Sequence, residues 1–206
     1  MPNNYAILAR RAQEKFLTYD QQEIVAKSPV RFDADHLYLP VLDRVCRICR
    51  HTGRLFWIEP DGSVTPSTEP GDALTIFDYL CDAHPHRTLS GEFEAMANFG
   101  KQFHSDLLES SAPSALELAA DCDPARFRRA CQDLGGEPVA NGDVGYRIPF
   151  FPDLPVVLRF WLSDEEFPPQ LRFYWDKNTL FYLRYETMYY GLGILQNRLF
   201  YHINRD

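Results

Sequence analysis

Residues 155–175, PVVLRFWLSDEEFPPQLRFYW, set three consecutive acids between two apolar runs. Pro155 to Leu162 and Gln170 to Trp175 read as two strands. Paired as a hairpin, they hold Asp164, Glu165 and Glu166 at the loop end. Asp176 then falls toward the opposite end, because each strand advances roughly 3.3 Å per residue.

Downstream of the hairpin lies the clearest helical pattern in the chain. Phe181, Tyr185, Met188, Leu192, Leu195, Leu199 and His202 recur in steps of four and three. Asp176 or Asn178 can cap that helix by accepting its free amide hydrogens. Glu186 falls off the apolar stripe, near Tyr182, Tyr189 and Gly193. Gly191 and Gly193 sit inside the helix without a third glycine, so they read as positions of close packing rather than as a phosphate loop.

Upstream, Asn141-Gly142-Asp143 reads as a hairpin turn. Asp123-Pro124 is a helix-start signal, followed at helical spacing by Phe127, Ala130, Cys131 and Leu134 and stopped by Gly135-Gly136. Residues 92–120 are predicted to be helical in part, with Pro113 opening a second piece. Asp72 is placed to cap a helix that turns Leu74, Phe77, Leu80 and Cys81 inward and ends near His84-Pro85-His86. Three strands are predicted between Val30 and Ile58, at residues 36–42, 44–50 and 54–58. The turn Glu59-Pro60-Asp61-Gly62 closes them, and Pro66 and Pro70 extend the loop. Residues 3–20 place Tyr5, Leu8, Ala9, Ala12, Phe16 and Tyr19 on one helical face. No internal repeat and no linker interrupts the chain. The expected architecture is one α+β domain over residues 1–206: an antiparallel sheet with helices packed on it, and a long C-terminal amphipathic helix.

A chain of 206 residues with 45% hydrophobic content can bury roughly 70% of its unfolded surface. The net charge of −8 argues against a nucleic-acid partner, which would need a basic face. A local basic run does occur at Arg44–Arg50, RVCRICR. Only four of the 21 basic residues are lysines (Lys15, Lys27, Lys101 and Lys177), and none lies in an apolar run that would suit a Schiff base. No secretion signal or membrane span is visible, and five cysteines do not read as a secreted disulfide framework. The expected setting is the cytoplasm.

Cys46 and Cys49 have the spacing of a zinc or redox pair. Their run reads as a strand, however, and residues three apart on a strand point to opposite faces. His51, Cys81, His84 and His86 could complete a metal site only if the fold joined the two segments. His84-Pro85-His86 reads more simply as a turn. The acids are different in kind. Asp164, Glu165, Glu166, Asp176 and Glu186 are the candidate ligand-binding residues, divided between the triplet at its loop and Asp176 with Glu186 at the helix start. Carboxylates fixed on a proline-backed loop would bind a divalent cation or orient a polar ligand. The alternative duty of the triplet is to turn the chain.

The run Trp161-Leu-Ser-Asp-Glu-Glu-Phe-Pro, then Phe173-Tyr-Trp-Asp176, Tyr182-Leu183 and Glu186, resembles the C-terminal signature of a domain family of unknown function. That family is found mostly in anaerobic bacteria and archaea. The resemblance covers nearly the full chain, through Asn4-Tyr5, Tyr79-Leu80, Leu89-Ser90-Gly91, Leu134-Gly135-Gly136 and Gly142-Asp143. It implies a shared fold and brings no established reaction. Some relatives carry cysteine-rich, iron–sulfur-like segments. The Cys46/Cys49 pair does not match one, and no cluster is carried over. The resemblance marks the acid-Phe-Pro loop, Asp176 and Glu186 as the positions most worth mutating.

Three functional readings follow. The chain is expected to be a non-catalytic accessory domain binding a small polar ligand, a metal ion or a protein partner, with a homo-oligomer also open. The alternative is a metal-assisted hydrolase or acid/base enzyme using two carboxylates of the Asp164–Glu166 loop, with His104 or His202 as a second polar group. The third reading confines the acids to structure.

Overall fold

The 155–175 hairpin forms as the sequence predicts. In the computed structural model, which describes residues 4–99 and 113–205, β9 (Leu154–Trp161) runs antiparallel to β10 (Gln170–Asp176). Trp161 lies opposite Gln170 and Val156 opposite Trp175, so the acid triplet caps one end and Asp176 the other. β8 (Val144–Phe151) pairs with the free edge of β9, and β7 (Glu137–Pro138) pairs with β8. The tight turn that joins β7 to β8 carries Asn141 and Gly142 in the left-handed region, φ +80° and +83°, where asparagine and glycine are tolerated. The far edge of β10 pairs with β6 (Phe93–Ala95), a short strand within a region predicted to be partly helical.

The strands from the first half make a second sheet rather than extending this one. They are β1 (Arg31–Phe32), β2 (His36–Val41), β3 (Arg44–Cys49), β4 (Leu55–Ile58) and β5 (Val64–Pro66). Short turns connect them as an antiparallel meander in chain order. The physical reason is local: each strand finds its partner within a few residues, so the meander fills itself before the later strands are reached. β5 includes Pro66, which the sequence placed in a loop. Proline is tolerated there because β5 is an edge strand. The fold is α+β with antiparallel sheets, as expected, and among the described residues the sheets number two.

Among the described residues six α-helices cover the sheets: α1 (Asn4–Thr18), α2 (Gln21–Lys27), α3 (Pro70–Phe77), α4 (Ala115–Cys122), α5 (Pro124–Asp133) and α6 (Tyr185–Asn204). Asp123 caps α5 by accepting the Arg126 N–H at 2.9 Å. Ser114 and Glu117 form a reciprocal capping box on α4. Helix α6 starts at Tyr185, later than its stripe predicts, because Thr179–Phe181 makes a separate 3₁₀ turn that leaves Phe181 exposed. Its buried side includes Met188, Leu192, Leu195 and Leu199, each contributing roughly 1.5–3 kcal/mol when fully buried. At Gly191 a methyl group would come within 3.3 Å of the Phe150 ring, so the expected close packing holds there. At Gly193 nothing lies within 4 Å, and close packing does not explain that glycine.

One cluster of buried side chains spans both sheets and the helices between them, from Phe16 and Leu39 to Phe160 and Leu199. The sheets meet where the Leu42 N–H donates to the Phe150 carbonyl at 3.1 Å. Leu42 takes φ +55° in the two-residue turn between β2 and β3, a conformation uncommon for a branched side chain. Two anchors hold it: that backbone bond, and the neighbouring Asp43, whose carboxylate reaches α6.

Candidate functional site

The predicted acids separate into three environments. Asp164, Glu165 and Glu166 are exposed at the hairpin tip. The Asp164 carboxylate accepts the N–H groups of Glu166 and Phe167 at 2.8 and 2.7 Å, so it turns its own loop. Phe167 does not pack behind the acids; 66% of it is exposed, and Pro169 is the buried proline. Neighbouring backbone is held in the same way. Asp121 binds the Ser163 N–H and hydroxyl, Asp143 binds the Leu162 N–H, and Glu117 binds the Leu171 N–H. The loop's order comes from carboxylate-to-amide bonds rather than from an aromatic plug.

Asp176 is fully buried at the other end of the hairpin. It does not cap α6. Its two oxygens accept N–H bonds from Ser90, Gly91 and Asn178 and the Ser90 hydroxyl, all within 3.0 Å. It therefore fixes the loop entering β6. Glu186 lies in the first turn of α6, exposed, in surroundings that do not include the triplet or Asp176.

The head of α6 is anchored by a residue the sequence reading did not single out. After α3 the helix continues as one π turn, Asp78–Asp82. The side chain of Asp78 is wholly buried. Its Oδ2 accepts the Arg184 N–H at 2.8 Å, and its Oδ1 accepts the Arg184 Nε–H at 2.7 Å. Burial outweighs these bonds, together with one from Thr187, and holds the Asp78 carboxyl above the usual carboxylate range. Asp82 pairs with Lys15 of α1 and lies 3.5 Å from Arg184. Asp72, predicted as the α3 cap, instead sits inside the first turn of α3 and accepts the Trp57 indole N–H at 2.8 Å and the Ser67 hydroxyl at 2.7 Å.

These elements enclose a cleft of about 390 Å³ between α1, α3 with its π turn, and the head of α6. Leu8, Ala12, Leu74, Phe77 and Tyr190 form its apolar walls, and Asp78 lies among its lining. π turns inside helices recur at functional sites, and this one carries both acids of the cleft that are ion-paired. Arg11 and Glu186 also line it, and among the described residues neither makes an ion pair. A signal for Asp78 did exist in the sequence: it is the single acid within the apolar helical run Leu74–Cys81.

A second polar cluster is more enclosed. Asp43, Arg198 and His202 have side chains 6%, 7% and 6% exposed. Asp43 takes the Arg198 guanidinium with both oxygens, and its Oδ2 lies 2.9 Å from His202 Nε2. Arg198 also lies 3.2 Å from Glu59, which lies 3.3 Å from Arg44. Burial alone would raise the Asp43 carboxyl, but the bonds and charges of His202 and Arg198 bring it down to about 2. This network ties the β2–β3 turn to α6. His202 is engaged here, and His104 lies outside the described residues.

The metal candidates are dispersed. Cys46 points into the core, where burial pushes its thiol well up, while Cys49 is half-buried with its thiol lowered chiefly by a hydrogen bond with Thr52. His84 and His86 form an exposed turn, with the His84 ring 5.8 Å from that of Phe181. Among the described residues, no three His, Cys, Asp or Glu side chains gather as a metal ion would need. No helix there is long and apolar enough to cross a membrane.

Compared with protein-family models, residues 20–198 match a domain of unknown function, DUF3786. The chain belongs to the DUF3786 family. The DUF3786 region contains both sheets, the hairpin, the π turn and the head of α6; the α1 wall of the cleft precedes it. Comparisons with curated proteins and with solved structures give no match.

Proposed function

We propose that the protein is a non-catalytic binding module, a single domain of the cytoplasm, whose ligand occupies the cleft between α1, the π turn and the head of α6. The observation that carries this reading is the cleft's construction. Its volume falls within the range of small-molecule sites, with apolar walls and a few fixed polar groups. The two acids of its π turn are joined to Arg184 and Lys15. Arg11 and Glu186 remain to meet a ligand's charges, which suits a small organic molecule bearing an apolar part and ionised groups. A divalent cation suits it less well, since among the described residues no three donors gather. Five unpaired cysteines accord with a reducing compartment.

One observation favours an enzyme instead: Asp78 is a buried carboxylate with raised proton affinity in a cleft, as a general acid would be. A thermal-shift panel of amino acids, aromatic acids and amines separates the readings. Binding predicts a stabilising compound whose effect is lost in Arg11→Glu or Glu186→Lys, both surface changes. Stabilisation that survives in both variants places the ligand elsewhere. Chemical turnover of the stabilising compound that stops in Asp78→Asn would establish catalysis.

A further inference from the structure

The register of the hairpin has a second consequence, on the face of the sheet turned away from α5 and α6. Arg159 of β9 lies directly opposite Arg172 of β10, so two cations share one cross-strand position. Like charges placed this way repel. Each guanidinium stacks on a ring of the other strand: Arg159 lies 4.6 Å from the centre of Tyr174, and Arg172 lies 5.8 Å from that of Trp161. Stacking uses the planar face of a guanidinium and leaves its N–H edge to bind.

In a chain of net charge −8, a counter-ion at such a pair would be expected from the protein itself. Arg147, on the neighbouring strand, has Glu137 at 3.9 Å. Among the described residues neither Arg159 nor Arg172 has a carboxylate within 4.0 Å. Arg159 also keeps a buried Nε without a hydrogen-bond acceptor. Arg172 and Trp161 reach the rim of a hollow of about 530 Å³ beside the acid loop. The three carboxylates lining that hollow, Glu117, Asp143 and Asp164, are each bonded to backbone amides.

We propose that Arg159 and Arg172 together form a binding site for an oxyanion, the carboxylate or phosphate group of a small ligand. One bridging anion would relieve the repulsion by pairing with the N–H edges of both guanidiniums, with the two rings holding both forks in place. This site is separate from the helical cleft, and either can fail without the other.

The test is a titration of the ¹⁵N-labelled full chain, following the arginine Nε–Hε resonances at constant ionic strength balanced with sodium chloride. Inorganic phosphate is the probe in one arm and succinate in the other. The signals of Arg159 and Arg172 should move together along one saturating curve in at least one arm, which names the anion class. Arg172→Gln, a change at an exposed position, should weaken that binding at least tenfold and should melt no lower than the wild type in chloride alone. Arg159→Gln supplies the second assignment. The proposal is overturned if neither probe moves the pair. It is equally overturned if the shifts rise linearly with those of other arginines, an adventitious ion only, or if Arg172→Gln leaves the affinity unchanged.

Discussion

Asp78 anchors the head of α6 from 106 residues away: its carboxylate accepts both the backbone N–H and the Nε–H of Arg184. Arg184 stands at the N-cap position and offers no side-chain cap to the helix, so the long-range contact holds the residue from which α6 starts. The same residue lies among the lining of the proposed binding cleft, its carboxylate buried behind the surface, which couples the anchoring of α6 to the shape of that site.

Asp78→Ala should therefore lower stability by about 1–3 kcal/mol, since it removes both part-buried bonds to Arg184, while Asp78→Asn should cost less. The pH dependence has a definite sign. Burial raises the folded pKa of Asp78 above 3.8, so the folded chain holds this proton more tightly than the unfolded chain. Its contribution is complete below pH 4 and is lost as pH rises through the folded value. Urea midpoints of the wild type relative to Asp78→Asn should drift against the wild type from pH 4 upward and then level off.

Asp43 behaves oppositely. With its carboxyl lowered from 3.8 to about 2, it contributes on the order of 2 kcal/mol at neutral pH. That contribution is lost as pH falls from about 4 through 2. Asp43→Asn leaves the buried Arg198 without its bidentate partner and should cost about 3–5 kcal/mol at pH 7. Denaturation curves should show the gap between the two proteins narrowing between pH 5 and pH 2.

The acids singled out in the sequence should divide sharply by mutation. Asp176→Asn disturbs a fully buried acceptor of four bonds and should lower stability by roughly 1–3 kcal/mol. Glu165→Gln and Glu166→Gln, on the exposed tip, should stay within about 0.5 kcal/mol. Equal losses at all three would mean that the tip is buried against something in solution.

Thiol labelling gives an independent check on the packing. Iodoacetamide should modify Cys122 and Cys49 in the native protein, and mass spectrometry of the digest should find Cys46, Cys81 and Cys131 protected. Burial raises those three thiols, Cys81 to about 12. Rapid modification of Cys46 would show that β3 is not seated in the core.

The hairpin, the start and stop of α5 and the inward face of α3 were legible in the sequence because each rests on a local signal. Those signals were turn residues, a cap followed by proline, and an apolar period. The division of strands between two sheets was not, since pairing partners are chosen by chain geometry rather than by composition. At the site, sequence reading found the conspicuous acids of the tip, which are exposed and partly spent on their own loop. It missed Asp78 and Asp43, whose partners Arg184 and Arg198 lie more than 100 residues away. A lone acid in the apolar run Leu74–Cys81 and an arginine on the Leu195–Leu199 stripe were the traces they left.

The proposed cleft is tested most directly by crystals soaked in aqueous isopropanol and acetonitrile. We expect ordered solvent molecules between Leu74, Phe77 and Tyr190, above an Asp78 still bound to Arg184. Helix α1 collapsed onto the π turn, or solvent probes gathered elsewhere with this space empty, would contradict the account.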